Sequence, residues 1–145
     1  MKKITLPLTL LALVLVLVGC KSESLQLYDL RCENLENPLA IDSTTPHFSW
    51  KINSALNATN QTHYEIMVAS NEQLLKNDQA DIWSSGKIAS DESVMVKYAG
   101  AGLQPRSLAF WKVRVWDNHG NVSAWSNPQR FGIGILSNEM WSKSE

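Results

Sequence analysis

Residues 108–131, LAFWKVRVWDNHGNVSAWSNPQRF, constrain the fold more than any other stretch of the chain. Ala109, Trp111, Val113 and Val115 are apolar while Lys112 and Arg114 fall between them, which is the period-2 pattern of a half-buried strand. Phe110 and Trp116 share the Lys/Arg face, where long basic stems can cover aromatic rings. The Asp-Asn-His-Gly-Asn run at 117–121 tolerates left-handed backbone and a second apolar run follows at once, so a tight antiparallel hairpin is predicted. Pro128 has no amide donor and marks the edge or the end of the return strand. Trp125, in Ser-Ala-Trp-Ser, falls where Lys112 and Arg114 of the neighbouring strand build a cation–π ladder. Two strands alone are not stable in water, so the other segments must supply a second layer.

Those segments are short and punctuated. Residues 25–32 form a strand with apolar side chains on both faces. Residues 33–46 carry two prolines with Asn, Asp, Ser and Thr, and read as an ordered loop with Leu39 and Ile41 pinned inward. Strands follow at 47–52 and at 62–69, the latter with Tyr64, Ile66 and Val68 on one face. Ser70 is the predicted N-cap of a short helix, Gln73 its capping-box partner, and Leu74 and Leu75 its apolar side. Residues 82–88 read as a short strand with a bend at Gly86, and Val94, Val96 and Tyr98 alternate in the next. Seven short strands with turn chemistry between them and one brief helix specify an all-β fold, a two-sheet antiparallel sandwich.

The first residues stand apart from that fold. Lys2 and Lys3 precede an unbroken apolar run at 10–18, which closes on Leu17-Val18-Gly19-Cys20. This is a secretory signal rather than a membrane span, which needs about 20 apolar residues. The ending resembles the lipobox of bacterial lipoproteins, which implies that Cys20 is acylated as the mature N-terminus. The expected organisation is a signal peptide at 1–19, a lipidated tether at 20–24, the sandwich at 25–136, and at 137–145 the start of a linker to a further domain. The expected location is the bacterial cell envelope, at the outer membrane or cell surface. The formal charge of −1 becomes about two units more negative without Lys2 and Lys3, so no basic patch argues for nucleic acid. With Cys20 lipidated, Cys32 has no partner for a disulfide and is read as a buried small hydrophobe.

The order of segments, with Leu103-Gln104-Pro105 before the Trp111 strand, is similar to a fibronectin type III or immunoglobulin-like domain. It departs where such domains hold a corner tyrosine. Here Ala109 and Phe110 occupy the place, and ring packing by Phe110 is the expected substitute. Several blocks together resemble the opening of bacterial α-L-rhamnosidases of glycoside hydrolase family 78. They are Leu30-Arg31-Cys32-Glu33-Asn34-Leu35, Asn37-Pro38-Leu39-Ala40-Ile41-Asp42, Thr45-Pro46-His47-Phe48-Ser49-Trp50, the run at 61–70, Trp83-Ser84-Ser85-Gly86-Lys87 and the run at 111–117. The resemblance implies an N-terminal sandwich followed by further β domains and an (α/α)6 barrel that holds the catalytic carboxylates. It also implies hydrolysis of terminal α-L-rhamnose by water with inversion, in a part of the parent enzyme outside this chain.

Inverting hydrolysis requires two carboxyl groups about 6.5–9.5 Å apart, one acid and one base. Glu33, Glu36 and Asp42 lie near one another in the long loop, but capping and turn roles suit them better, and no catalytic residue is assigned. His47, His63 and His119 have no metal-ligand spacing, and no metal or cofactor is expected. Surface tryptophans stack on sugars. Trp50 and Trp111 fall in apolar alternation and are assigned to the core. Trp83, Trp116 and Trp141 are the candidates for sugar stacking or domain docking. The expected partners are the following domains of the same enzyme, the membrane through the lipid anchor, and rhamnose-containing glycans. The alternative is a stand-alone surface adhesin or carbohydrate-binding lipoprotein. A fragment should leave Phe131 and Trp141 uncovered, whereas an independent module should fold its last strand back.

Overall fold

The computed structural model describes residues 25–135. The expected signal peptide at 1–19, the expected lipidated tether with Cys20 and the segment with Trp141 lie outside the described residues. Strands β1 (Leu25–Cys32), β2 (His47–Ser54) and β6 (Val96–Lys97) form one antiparallel sheet in the order β1-β2-β6. In the other, β3 (Gln61–Ala69) is flanked on one side by the short β4 (Trp83–Ser84) and β5 (Ile88–Ala89). On its other side lies β7 (Leu108–Asp117), followed by β8 (Gln129–Gly132). Helix α1 (Glu72–Lys76) follows β3.

The alternation of β7 is observed as predicted. Ala109, Trp111, Val113 and Val115 are buried, while Phe110, Arg114 and Trp116 are only half-buried on the opposite face. The core closes on aromatic rings from both sheets. Phe48 of β2 stacks on Trp111 with centroids 4.4 Å apart and meets Phe131 edge-on at 5.7 Å. Trp50 packs edge-on against Tyr64 at 5.5 Å, and its indole N–H donates to Gln61 Oε1 at 2.9 Å. That bond gives the buried indole its partner without opening the core to water.

In β1, apolar residues occur on both faces because Asp29 adopts φ 50° and the register shifts between Tyr28 and Arg31. An extra residue in one strand moves the inward set to the other parity, so Leu25 and Leu27 are followed inward by Leu30 and Cys32. Burial, and secondarily the charge of Glu33, pushes the Cys32 thiol up to about 12, which leaves it inert at neutral pH.

Several expectations are corrected. Asn71, not Ser70, is the N-cap; its side chain accepts from Leu74 N at 3.0 Å. Ser70 instead donates from N and Oγ to the two oxygens of Asp81, at 2.8 and 2.6 Å, tying the end of β3 to the loop after α1. Val94 is exposed because Met95 takes φ 56° and breaks the alternation before β6 begins. The hairpin forms at the 117–121 turn as predicted, with an antiparallel bridge between Trp116 and Val122, but its return arm is irregular beyond that bridge. Ser123 and Ser126 each donate a backbone N–H to Val115 and Val113 carbonyls, at 2.9 Å. Their hydroxyls accept from Val115 N and Val113 N at 3.0 Å, and regular pairing resumes only at β8. Pro128 lies one residue before that edge strand. Ile41 is buried as predicted, but Leu39 is 75% exposed. Phe110 stands on the outer face opposite Arg130 and does not lock the corner. The crossing loop is held instead by Tyr98, whose hydroxyl donates to the Ala101 carbonyl at 2.8 Å.

The 117–121 turn is organised by one carboxylate. Asp117 Oδ1 accepts from His119 N at 2.9 Å and Asn121 N at 2.8 Å, and Oδ2 accepts from Asn121 Nδ2 at 3.0 Å. Burial raises its pKa, but the donors of Asn121 and His119 together outweigh that and hold it below the usual carboxylate value. A depressed folded-state pKa contributes stability above the unfolded value of about 4 and loses it as pH falls through the folded value. Asp117→Asn should therefore lie below the wild type in thermal midpoint near neutrality, and the gap should close as the pH is lowered from about 6 towards 3.

Candidate functional site

The outer face of the five-stranded sheet gathers one group of the side chains singled out above. Lys112, Arg114 and Trp116 alternate along β7, and the irregular 122–128 segment turns Trp125 over them. Lys112 Nζ lies 4.5 Å from the Trp125 ring centre, and the Arg114 guanidinium carbon 4.5 Å from Trp125 and 5.0 Å from Trp116. Lys87 Nζ closes the row 4.6 Å from the Trp116 ring centre, and His63 meets that ring edge-on. Arg114 also pairs with Glu65 at 2.7 Å. Lys112 is buried although it points outward, because α1 covers it. Its ammonium donates to the Leu75 carbonyl at the end of that helix and pairs with Asp78.

This array satisfies itself. Each cation has a carboxylate, a carbonyl or a ring as partner, and Trp116, a candidate platform, already has two cations over its ring. Trp83 is half-buried and packs edge-on against Tyr98 at 5.0 Å. The two are not brought together, since Trp83 belongs to β4 and packs on the core while Trp116 belongs to β7 and faces outward. Trp141 lies outside the described residues.

The carboxylates of the long loop are also placed. Glu33 Oε1 accepts from His47 N at 2.8 Å and lies 3.0 Å from His47 Nδ1, which fixes the start of β2. Glu33 and Asp42 border a shallow hollow of about 300 Å³ whose other walls are Leu35, Ala40, Ile41 and Ser43. Glu36 is exposed. Glu33 thus anchors β2, while Glu36 and Asp42 are surface positions. Among the described residues no group of three or more His, Cys, Asp or Glu side chains is arranged to hold a metal ion.

Two features escaped sequence reasoning. On the outer face of the three-stranded sheet, Asp29 pairs with Lys51 and with Arg31, both at 2.7 Å, and these cations hold its carboxyl below the usual range. The bulge that aims Asp29 outward left only an ambiguous alternation as its signal. The second is the exposed pair Leu35, bridged to Cys32, and Leu39, beside β8, hidden because an apolar residue in a loop reads equally well as an anchor.

The comparisons with known proteins agree with one another. The model of the family described as Rha78A-like, N-terminal immunoglobulin domain, matches residues 27–137. An α-L-rhamnosidase of Streptomyces avermitilis is 42% identical over 110 residues, 76% of this chain and 10% of that protein. One from Formosa agariphila is 37% identical over 150 aligned residues, 100% of this chain and 16% of that protein. The crystal structure of the Streptomyces avermitilis enzyme complexed with L-rhamnose superposes with a TM-score of 0.77 at 40% identity, covering 81% of this chain and 11% of that one. The α-L-rhamnosidase of Dictyoglumus thermophilum gives 0.76 at 37% identity, covering 79% and 13%. The chain thus spans only 10% and 16% of the two curated relatives. With a sandwich of matching topology and a family model aligned along nearly all of its described residues, the chain belongs to the Rha78A-like N-terminal immunoglobulin domains.

Proposed function

We propose that this chain is the non-catalytic N-terminal module of an exported, lipid-anchored α-L-rhamnosidase, whose following domains hydrolyse terminal α-L-rhamnose. The observation that carries the reading is the family match over residues 27–137 in relatives named α-L-rhamnosidase, of which the module is a small part. The geometry supports it, since the candidate carboxylates are engaged in anchoring or lie on the surface. The module's work is mechanical: it stands between the anchored Cys20 and the catalytic body and offers the next domain a rigid surface. The Leu-Val-Gly-Cys ending of the leader supports the anchor at the cell envelope.

One observation favours the free-standing alternative. Phe131 is fully buried in β8, so the last described strand folds back as an independent glycan-binding module requires. Turnover separates the readings. The purified 145-residue chain should release no rhamnose from an aryl α-L-rhamnoside, and the polypeptide continued through the downstream reading frame should release it. Release by the short chain, or none by the extended one, overturns the proposal.

A further inference from the structure

Residues 37–41 cross to the outer edge of β8 and are held there at backbone level. Arg130 N donates to Asn37 Oδ1 at 2.9 Å, Gly132 N to the Pro38 carbonyl at 2.9 Å, Ile41 N to the Gly132 carbonyl at 2.8 Å and Gly134 N to the Ile41 carbonyl at 2.9 Å. In the middle of this run the Leu39 side chain is 75% exposed. An exposed leucine on a loose loop means little. One fixed outward by a row of hydrogen bonds is preorganised, because the ordering entropy that association normally costs is already lost.

Leu39 has apolar neighbours. Gly132 pairs with Leu108, so a side chain at 132 would point to the same face as Leu108. The Leu39 carbonyl occupies that very place, which brings the Leu39 backbone to the face that also carries the half-exposed Leu108. On the other flank Leu35, 52% exposed, borders the hollow of about 300 Å³ with Ala40 and Ile41. Arg106, Arg130, Glu36 and Asp42, close to these residues along the chain or through backbone hydrogen bonds, are exposed.

The described residues end here, at Ile135. Arg106 N donates to the Ile133 carbonyl at 3.0 Å, and Gly134 packs beside Ala40 and Ile41. Whatever follows Ile135 therefore starts a few residues from the patch, at the high effective concentration of a short tether. We infer that Leu35, Leu39 and Leu108, with the hollow between Leu35 and Ile41, form the surface on which the domain after the sandwich docks. Its complementary face has an apolar centre that seats on Leu39 and charges of both signs at its margin. This rests on the reading of the chain as one module of a longer enzyme.

The test compares the 145-residue chain with the polypeptide continued through the downstream reading frame. The amides of residues 35–37, 39 and 40 should exchange hydrogen about tenfold more slowly in the extended protein. Leu39→Ser should abolish that protection, whereas Leu56→Ser, an exposed leucine in the β2–β3 turn, should not. Equal exchange of this loop in the two proteins, or equal behaviour of the two serine variants, overturns the assignment. If the extended protein releases rhamnose yet the loop exchanges as before, the docking surface alone is wrong. If it releases none, the module reading fails and the docking surface falls with it.

Discussion

Trp111→Ala is expected to destabilise the sandwich by about 3–5 kcal/mol, the usual cost of removing a large buried ring. Trp111 is 1% exposed, stacks on Phe48 at 4.4 Å, and sits mid-sheet between Val68 of β3 and Gln129 of β8. Its ring is thus in contact with the facing layer while its backbone joins two strands of its own sheet, and no neighbour can move in without breaking one of these. With native stabilities of about 5–15 kcal/mol, such a loss removes much of the total. Urea unfolding should show it as a midpoint lowered by about 2 M at unchanged slope. Trp116→Ala, on the outer face of the same strand, should cost about 1–2 kcal/mol, since only half-buried area and cation–π contacts are lost. Equal losses at the two positions would contradict the assignment of inner and outer faces.

Gly132→Ala should be nearly as damaging although it adds a single methyl group. A Cβ at Gly132 would lie 2.1 Å from the Leu39 carbonyl oxygen and 2.9 Å from its carbon. The obstacle is backbone held by hydrogen bonds on either side, so either β8 or the 37–41 loop must move, at about 3 kcal/mol or more. Gly102→Ala is the control: its Cβ would first meet Thr44 Oγ1 at 3.7 Å, an ordinary contact, and its midpoint should not change measurably. Thermal or urea unfolding of the two alanine variants side by side reads the difference.

These two residues mark where the sequence was legible and where it was not. Trp111 announced itself through alternation, because the period of a strand is short and any chain segment of that period must bury one face. The ladder of Lys112, Arg114 and Trp125 was legible for the same reason, since it follows from which face of β7 is left over. Gly132 gave no sign, because its role depends on a loop nearly a hundred residues earlier in the chain. Leu39 and Ile41 read alike as loop anchors, and only the register with β8 decides that Ile41 turns inward and Leu39 outward. Left-handed residues other than glycine misled in the same way. Asp29 and Met95 shift the parity of a strand, and neither residue type signals this locally. Ser70 and Asn71 are both good caps, and the choice fell to Asn71 because Asp81 engages Ser70. The candidate site divided along the same line: the outward row on β7 was legible from alternation, whereas the partners of Trp83 and the surface beside β8 emerged only from tertiary contacts.

The hydroxyls of Ser123 and Ser126 bring a further consequence. They occupy the amides of Val115 and Val113 that a straight return strand would have met. Among the described residues no flat row of unpaired main-chain groups survives along this margin, and at β8 the 37–41 loop fills the corresponding place. A second copy approaching edge-on therefore finds no template in register on which to zip. Strands this rich in aromatic and β-branched residues would otherwise be prone to aggregate, and the crooked borders of the sheet guard the fold against its own stickiness.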